Sequence, residues 1–190
     1  MINTRLIDMH THSDNSPDGI HSPMYMCERA VDKGLRALAI TDHCEIDKFF
    51  EQKYASSVFH SYFETAKARS AFEGQLLVLI GLEIGQYSSN PQLADKIVDK
   101  YPFDFILGSV HTPRGFNEDI KEIDYSKLDV YEFMNNYFDE LAEYLKESVT
   151  EERLVAPSSI GVSDPVLLDL VSKFNELQQK RSDLGEKNPQ

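Results

Sequence analysis

The chain reads as an α/β protein with parallel strands, and two observations predict this. Short apolar runs and amphipathic stretches alternate four times through residues 1–146. Each apolar run is also followed by enough chain for the helical crossover that parallel pairing needs. Four βα units in succession fit either a doubly wound sheet or part of a (β/α) barrel.

The first unit begins with an apolar run over 5–12, after which Ser22-Pro23 supplies an N-cap and a proline at the first helical position. Met24, Cys27, Ala30 and Val31 recur at helical spacing, and Gly34 ends the helix. RALAITDH (36–43) predicts a buried second strand, a helix is expected around 59–72, and QLLVLIGLEIG (75–85) predicts the third strand. Residues 91–100 predict a short helix and FDFILGSVH (103–111) a fourth strand. Met134, Tyr137, Phe138, Leu141 and Leu145 then mark one face of a fourth helix. Past about residue 147 the pattern changes: 154–162 reads as a loop, and an amphipathic helix is expected over 165–183.

Charge narrows the partners. With 32 acidic against 19 basic residues and a formal charge of -13, the surface should repel nucleic acid unless bound ions override the average. The two cysteines, Cys27 and Cys44, lack the spacing of a disulfide framework or zinc ribbon and fit a reduced, cytoplasmic setting. No run approaches the roughly 20 apolar residues of a membrane span, so the expectation is a soluble protein with no membrane partner.

Chemistry collects at the strand ends. In LIDMHTHSDNSPDG (6–19), alternation puts Asp8, His10 and His12 on one face of the first strand. Imidazoles so placed suit zinc, iron or manganese. ITDH brings His43, beside Asp42, to the end of the second strand. GLEIG sets Glu83 between Gly81 and Gly85, which leaves room for an ion, and GSVH ends the fourth strand with His111. Parallel strands share one C-terminal rim, so these groups converge there. Arg114, just beyond, is a candidate phosphate contact, whereas His21 and His60 read as surface or structural residues and the cysteines as packed thiols.

In their order and wording, DMHTHSDNSPDG, ITDH, GLEIG and FILGSVH resemble the polymerase and histidinol phosphatase (PHP) superfamily of metal-dependent phosphoesterases, most closely its histidinol-phosphatase branch, over about residues 1–146. The resemblance implies a distorted, TIM-like (β/α)7 barrel, of which residues 1–147 would be a truncated part with about four βα units. It implies that His10, His12, Asp18, His43, Glu83 and His111 are metal ligands, with Glu83 bridging two ions in a cluster of two or three Zn, Fe or Mn ions, or fewer here. Glu83, His43 and Asp42 would form the catalytic group, with Asp8 and Asp42 orienting imidazoles. The implied reaction is hydrolysis of L-histidinol phosphate, a small phosphorylated metabolite of histidine biosynthesis, by a metal-activated hydroxide. Two alternatives remain open: another phosphoesterase of the superfamily, or a weakly active or inactive metal-binding fragment.

The family pattern also implies further ligands downstream, yet no histidine follows His111. Residues 148–190 read as a separate tail, and 154–190 looks similar to part of a bacterial polysaccharide chain-length determinant or tyrosine autokinase. A four-strand sheet would leave an open edge that a second copy of the chain could cover.

Overall fold

The computed structural model describes residues 6–116 and 118–148, all within a compact unit that ends at Ser148. The loop expected over 154–162 and the helix expected over 165–183 lie outside the described residues. Strands β1 (Ile7–Thr11), β2 (Ala37–Ile40), β3 (His43–Glu45), β4 (Leu77–Gly85) and β5 (Phe105–Ser109) alternate with helices α1 (Pro23–Lys33), α2 (Tyr54–Ala71), α3 (Pro91–Val98) and α4 (Val130–Ser148). Every strand pairing is parallel.

β2 and β3 hold one register against β4, with Ala37 opposite Leu77, Ile40 opposite Ile80 and His43 opposite Glu83. They are therefore one strand interrupted at Thr41 and Asp42, and it runs two residues past the expected end at His43. β5 pairs along Gly81–Gly85, the stretch whose other side carries β3. Spatial order thus follows chain order, as in neighbouring staves of a barrel. The result is an open, curled sheet forming part of a TIM-like barrel.

Alternation along these strands separates two faces. Leu38, Ile40 and Val78 pack against Cys27 and Ala30 of α1 and Ala68 of α2, while Cys44, Leu82 and Ile84 join Tyr54 and Val58 of α2, Ala94 and Ile97 of α3, and Tyr144 of α4. Full burial of each such aliphatic side chain contributes about 1.5–3 kcal/mol. The opposite face is less covered: Leu77 is 49% exposed, and Leu79, Phe105 and Leu107 are half-buried. At its C-terminal rim that face becomes polar, because His43, Glu45 and Glu83 belong to it.

Helix starts follow their caps. Ser22 accepts a hydrogen bond from the Tyr25 N–H with Pro23 at the first turn, and Asn90 does the same for Leu93 ahead of α3. α2 begins at Tyr54, five residues before its expected start, because Tyr54 and Val58 are buried although Ser56 and Ser57 between them dilute the apolar spacing. On α4 the buried face is carried by Phe133, Glu140 and Tyr144, and Phe138, expected inward, is 56% exposed.

β1 departs from its expected regularity. Asp8 is level with Leu38 and Thr11 with Ile40, so one extra residue lies between the two pairs. Such a bulge breaks the alternation, and Asp8 falls on the face of Leu38, away from the rim.

Candidate metal centre

Four strand ends deliver side chains to one point. The Glu83 carboxylate, 2% exposed at the end of the central strand, divides its two oxygens. Oε2 lies 3.2 Å from His10 Nε2, 3.0 Å from His12 Nε2 and 3.2 Å from His43 Nδ1. Oε1 lies 3.2 Å from His111 Nε2 and accepts a hydrogen bond of 2.9 Å from Ser109 Oγ. Asp18, from the loop after β1, places Oδ1 3.0 Å from His12 Nδ1 and Oδ2 3.3 Å from His43 Nε2.

Glu45 completes the cluster and was missed by sequence reasoning. Its Oε1 lies 2.8 Å from His111 Nδ1 and 3.2 Å from His43 Nδ1. The signal was available, since His43 and Glu45 stand two residues apart and share a face as His10 and His12 do. The glycines beside Glu83 also have a different occupant from the one expected. A Cβ at Gly85 would overlap the Glu45 carboxylate, and one at Gly81 would meet the Thr41 methyl. They admit side chains of the neighbouring strand, not an ion.

Electrostatics bind these groups to one another. Burial works against charge on Glu45, yet His111 and His43 outweigh it and hold the carboxyl down at about 2. Burial likewise opposes charge on Glu83, and His111 and His12 hold it well below the usual carboxylate range. Asp18 is lowered too, the charge of His12 and His43 overcoming its partial burial. In return His111, which burial alone would lower, is pushed up to about 10 by Glu45 and Glu83. Glu83 raises His12 against burial, with help from Asp18.

The donors fit divalent cations. Three sets, His10/His12/Glu83, His12/Asp18/His43 and His43/Glu45/His111, each bring three ligand atoms within 4.8 Å of one another. His10 Nε2 and His12 Nε2 are 3.0 Å apart, close to the ~3.3 Å that Zn–N bonds of about 2.0–2.1 Å give on a tetrahedron. His43 Nδ1 is buried without a hydrogen bond, an orphaned lone pair or N–H facing two carboxylates. Imidazole and carboxylate together suit zinc, iron or manganese.

Three candidate residues sit elsewhere. Asp8 accepts from the His10 backbone N–H at 3.3 Å and orients no imidazole. Asp42 is 1% exposed, and its carboxylate accepts from Ser13 N at 2.5 Å, Ser13 Oγ at 2.6 Å, Ser16 Oγ at 3.0 Å and Ser61 Oγ at 2.5 Å. It ties the loop carrying Asp18 to α2 and has no imidazole partner. Arg114 pairs with Glu143 of α4 at 2.6 Å and is 64% exposed. His21 lies tilted against the Tyr25 ring and His60 edge-on to Phe59, both histidines exposed. Burial pushes the Cys44 thiol up to about 12 and Cys27 to about 11, so both are inert core groups. Among the described residues no helix is long and apolar enough to cross a membrane.

The family model of the PHP domain matches residues 8–182. That match takes in most of 148–190, and the comparisons lend no support to a likeness of this stretch to chain-length determinants. Over 140 residues the chain is 24% identical to a probable histidinol-phosphatase of Deinococcus radiodurans, covering 71% of this chain and 54% of that protein. Over 106 residues it is 30% identical to a histidinol-phosphatase of Lactococcus lactis, covering 55% and 39%. The chain thus spans about half or less of the length of these relatives. Among solved structures, histidinol phosphate phosphatase of Lactococcus lactis, complexed with Zn, L-histidinol and phosphate, aligns with TM-score 0.42 at 23% identity, covering 56% of this chain and 40% of that one.

Proposed function

As the chain belongs to the PHP domain family, we propose that it is a metal-dependent phosphomonoesterase whose substrate is L-histidinol phosphate. The observation that carries this reading is the division of Glu83, with one oxygen facing three imidazoles and the other facing His111. A carboxylate so placed suits a bridge between two ions. The names of the curated relatives support the substrate.

In this reading His10, His12, Asp18, His43, Glu83 and His111 hold the ions. Divalent ions, when bound there, lower the pKa of a coordinated water and neutralise phosphate oxygens. Ser109 donates to Glu83 and fixes the rotation of its carboxylate. Asp18 holds the Nδ1 side of His12, which leaves Nε2 directed at Glu83. Asp42 anchors the loop that presents Asp18. A chain with a formal charge of -13 can receive a phosphate dianion only where cations offset that charge.

The test is to measure bound Zn, Fe and Mn in the purified chain and phosphate release from histidinol phosphate and an aryl phosphate, with His10→Ala and Glu83→Ala as controls. Metal-dependent release from histidinol phosphate that both substitutions abolish supports the proposal. Release from the aryl ester alone leaves a phosphoesterase without this substrate, and bound metal with no turnover favours a metal-binding fragment. Absence of bound metal defeats the reading.

A further inference from the structure

Glu45 has no role among the residues that the sequence singled out, yet it is 8% exposed and lies in contact with two imidazoles of the centre. Both contacts use Oε1 and both reach an Nδ1 atom, at 2.8 Å for His111 and 3.2 Å for His43. The other nitrogens of these rings face carboxylates of the proposed ligand set: His111 Nε2 is 3.2 Å from Glu83, and His43 Nε2 is 3.3 Å from Asp18. For His111 the Glu45 carboxylate therefore stands behind the ligand, on the side away from Glu83, whereas His43 Nδ1 faces Glu45 and Glu83 alike, at 3.2 Å each. A metal-bound imidazole keeps its other N–H, and a carboxylate that takes it fixes ring orientation and tautomer.

Resting on the metal-centre reading above, we propose that Glu45 is a positioning residue, whose Oε1 accepts the Nδ1 proton of His111 and so directs its Nε2 atom to the ions. The chain builds a place for it. Gly85, opposite Glu45 across the β3–β4 pairing, has no side chain, and any Cβ there would occupy the volume of the Glu45 carboxylate. Ile46 N also donates to the Gly85 carbonyl at 3.0 Å, which locks the end of β3 against β4 just past Glu45. Asp8 and Asp42, the carboxylates expected in this role, do not reach an imidazole, and Glu45 does.

Zinc titration of the whole chain against a chelating dye, with zinc counted per chain, separates a positioning residue from a ligand. Glu45→Gln should weaken zinc binding about 10- to 100-fold and leave the number of ions unchanged. Loss of one ion per chain would show that Glu45 is itself a ligand, and unchanged affinity would show that it has no part; either result overturns the proposal. Gly85→Ala leaves the Glu45 charge in the chain but expels its carboxylate, and should reproduce the weakening. If that variant fails to fold, as circular dichroism would show, Glu45→Gln still decides. Long-range proton–nitrogen spectra of the zinc-loaded chain should find the proton on Nδ1 of His111, and a proton on its Nε2 would refute the positioning role. Wild-type chain that takes up no zinc defeats the metal centre and Glu45 together, whereas zinc uptake indifferent to Glu45→Gln defeats Glu45 alone.

Discussion

Two buried polar clusters lie side by side at the strand ends, and they are built on opposite principles. Around Asp42 every partner is an O–H or N–H donor: two contacts from Ser13 and one each from Ser16 and Ser61. That carboxylate is saturated within the protein and needs nothing further. Around Glu83 a single hydroxyl, that of Ser109, donates, and the other neighbours are imidazoles that lie 3.0–3.2 Å from its oxygens and crowd one another. Such groups are content only when protons or a cation sit between them. Acidic residues on neighbouring strands, Asp42 between β2 and β3 and Glu83 on β4, thus divide between holding the fold and holding a ligand, according to whether donors or bases surround them.

Glu83→Ala should break the second cluster most completely. It removes the carboxylate whose two oxygens face His10, His12, His43 and His111, so the expected result is loss of bound metal and of phosphate release, seen by elemental analysis and assay. The fold should survive, because the four imidazoles then repel rather than unpack the core. Asp42→Ala should do the reverse. Stripping three serine hydroxyls of a buried charged acceptor costs about 2–4 kcal/mol, measurable as a lower urea midpoint, with zinc affinity falling only as Asp18 loosens. An Asp42 variant of full stability that loses metal would erase the distinction between the clusters.

Much of this contrast could be read from the sequence, and the exceptions have physical reasons. His10, His12, His43, Glu83 and His111 stand at strand ends whose apolar runs are plain, and Ser22, Pro23 and Gly34 bound α1 as their cap chemistry predicts. Asp8 misled because a one-residue bulge, invisible in the pattern, reverses its face. Glu45 was hidden because the apolar run ends at Ile40 while the strand resumes at His43. The role of Asp42 depends on serines at 13, 16 and 61, which only the tertiary fold brings together. Phe138 faces outward because Phe133 and Tyr144 set the buried side of α4.

Proton dependence sharpens the comparison. Glu45, at about 2 in the fold against an ordinary 4.5, adds stability that is full above 4.5 and disappears as pH falls through 2. His111, at about 10 against 6.5, adds stability that is full below 6.5 and disappears as pH rises through 10. The metal-free chain should therefore melt highest between these ordinary values and lose melting temperature on both sides. Zinc should reverse the alkaline side, since it competes with protons for the same atoms. Equal melting temperatures at pH 6 and pH 9 without metal would mean that the rim does not hold itself together by ion pairs.

Arg114→Ala should have the smallest effect, and it asks where the site ends. The guanidinium is 64% exposed and its partner Glu143 is 49% exposed, a pair worth about 0–1 kcal/mol. Its loop is anchored instead by the backbone, the Arg114 N–H donating to buried Glu140 at 2.7 Å, which the substitution leaves intact. Zinc content should not change, and KM for histidinol phosphate should stay within about twofold, the scale of an exposed ion pair. A tenfold rise in KM at unchanged kcat would show that the side chain leaves Glu143 for the phosphate. The rim would then extend past His111 to a protein cation, and phosphate binding would no longer rest on the ions alone.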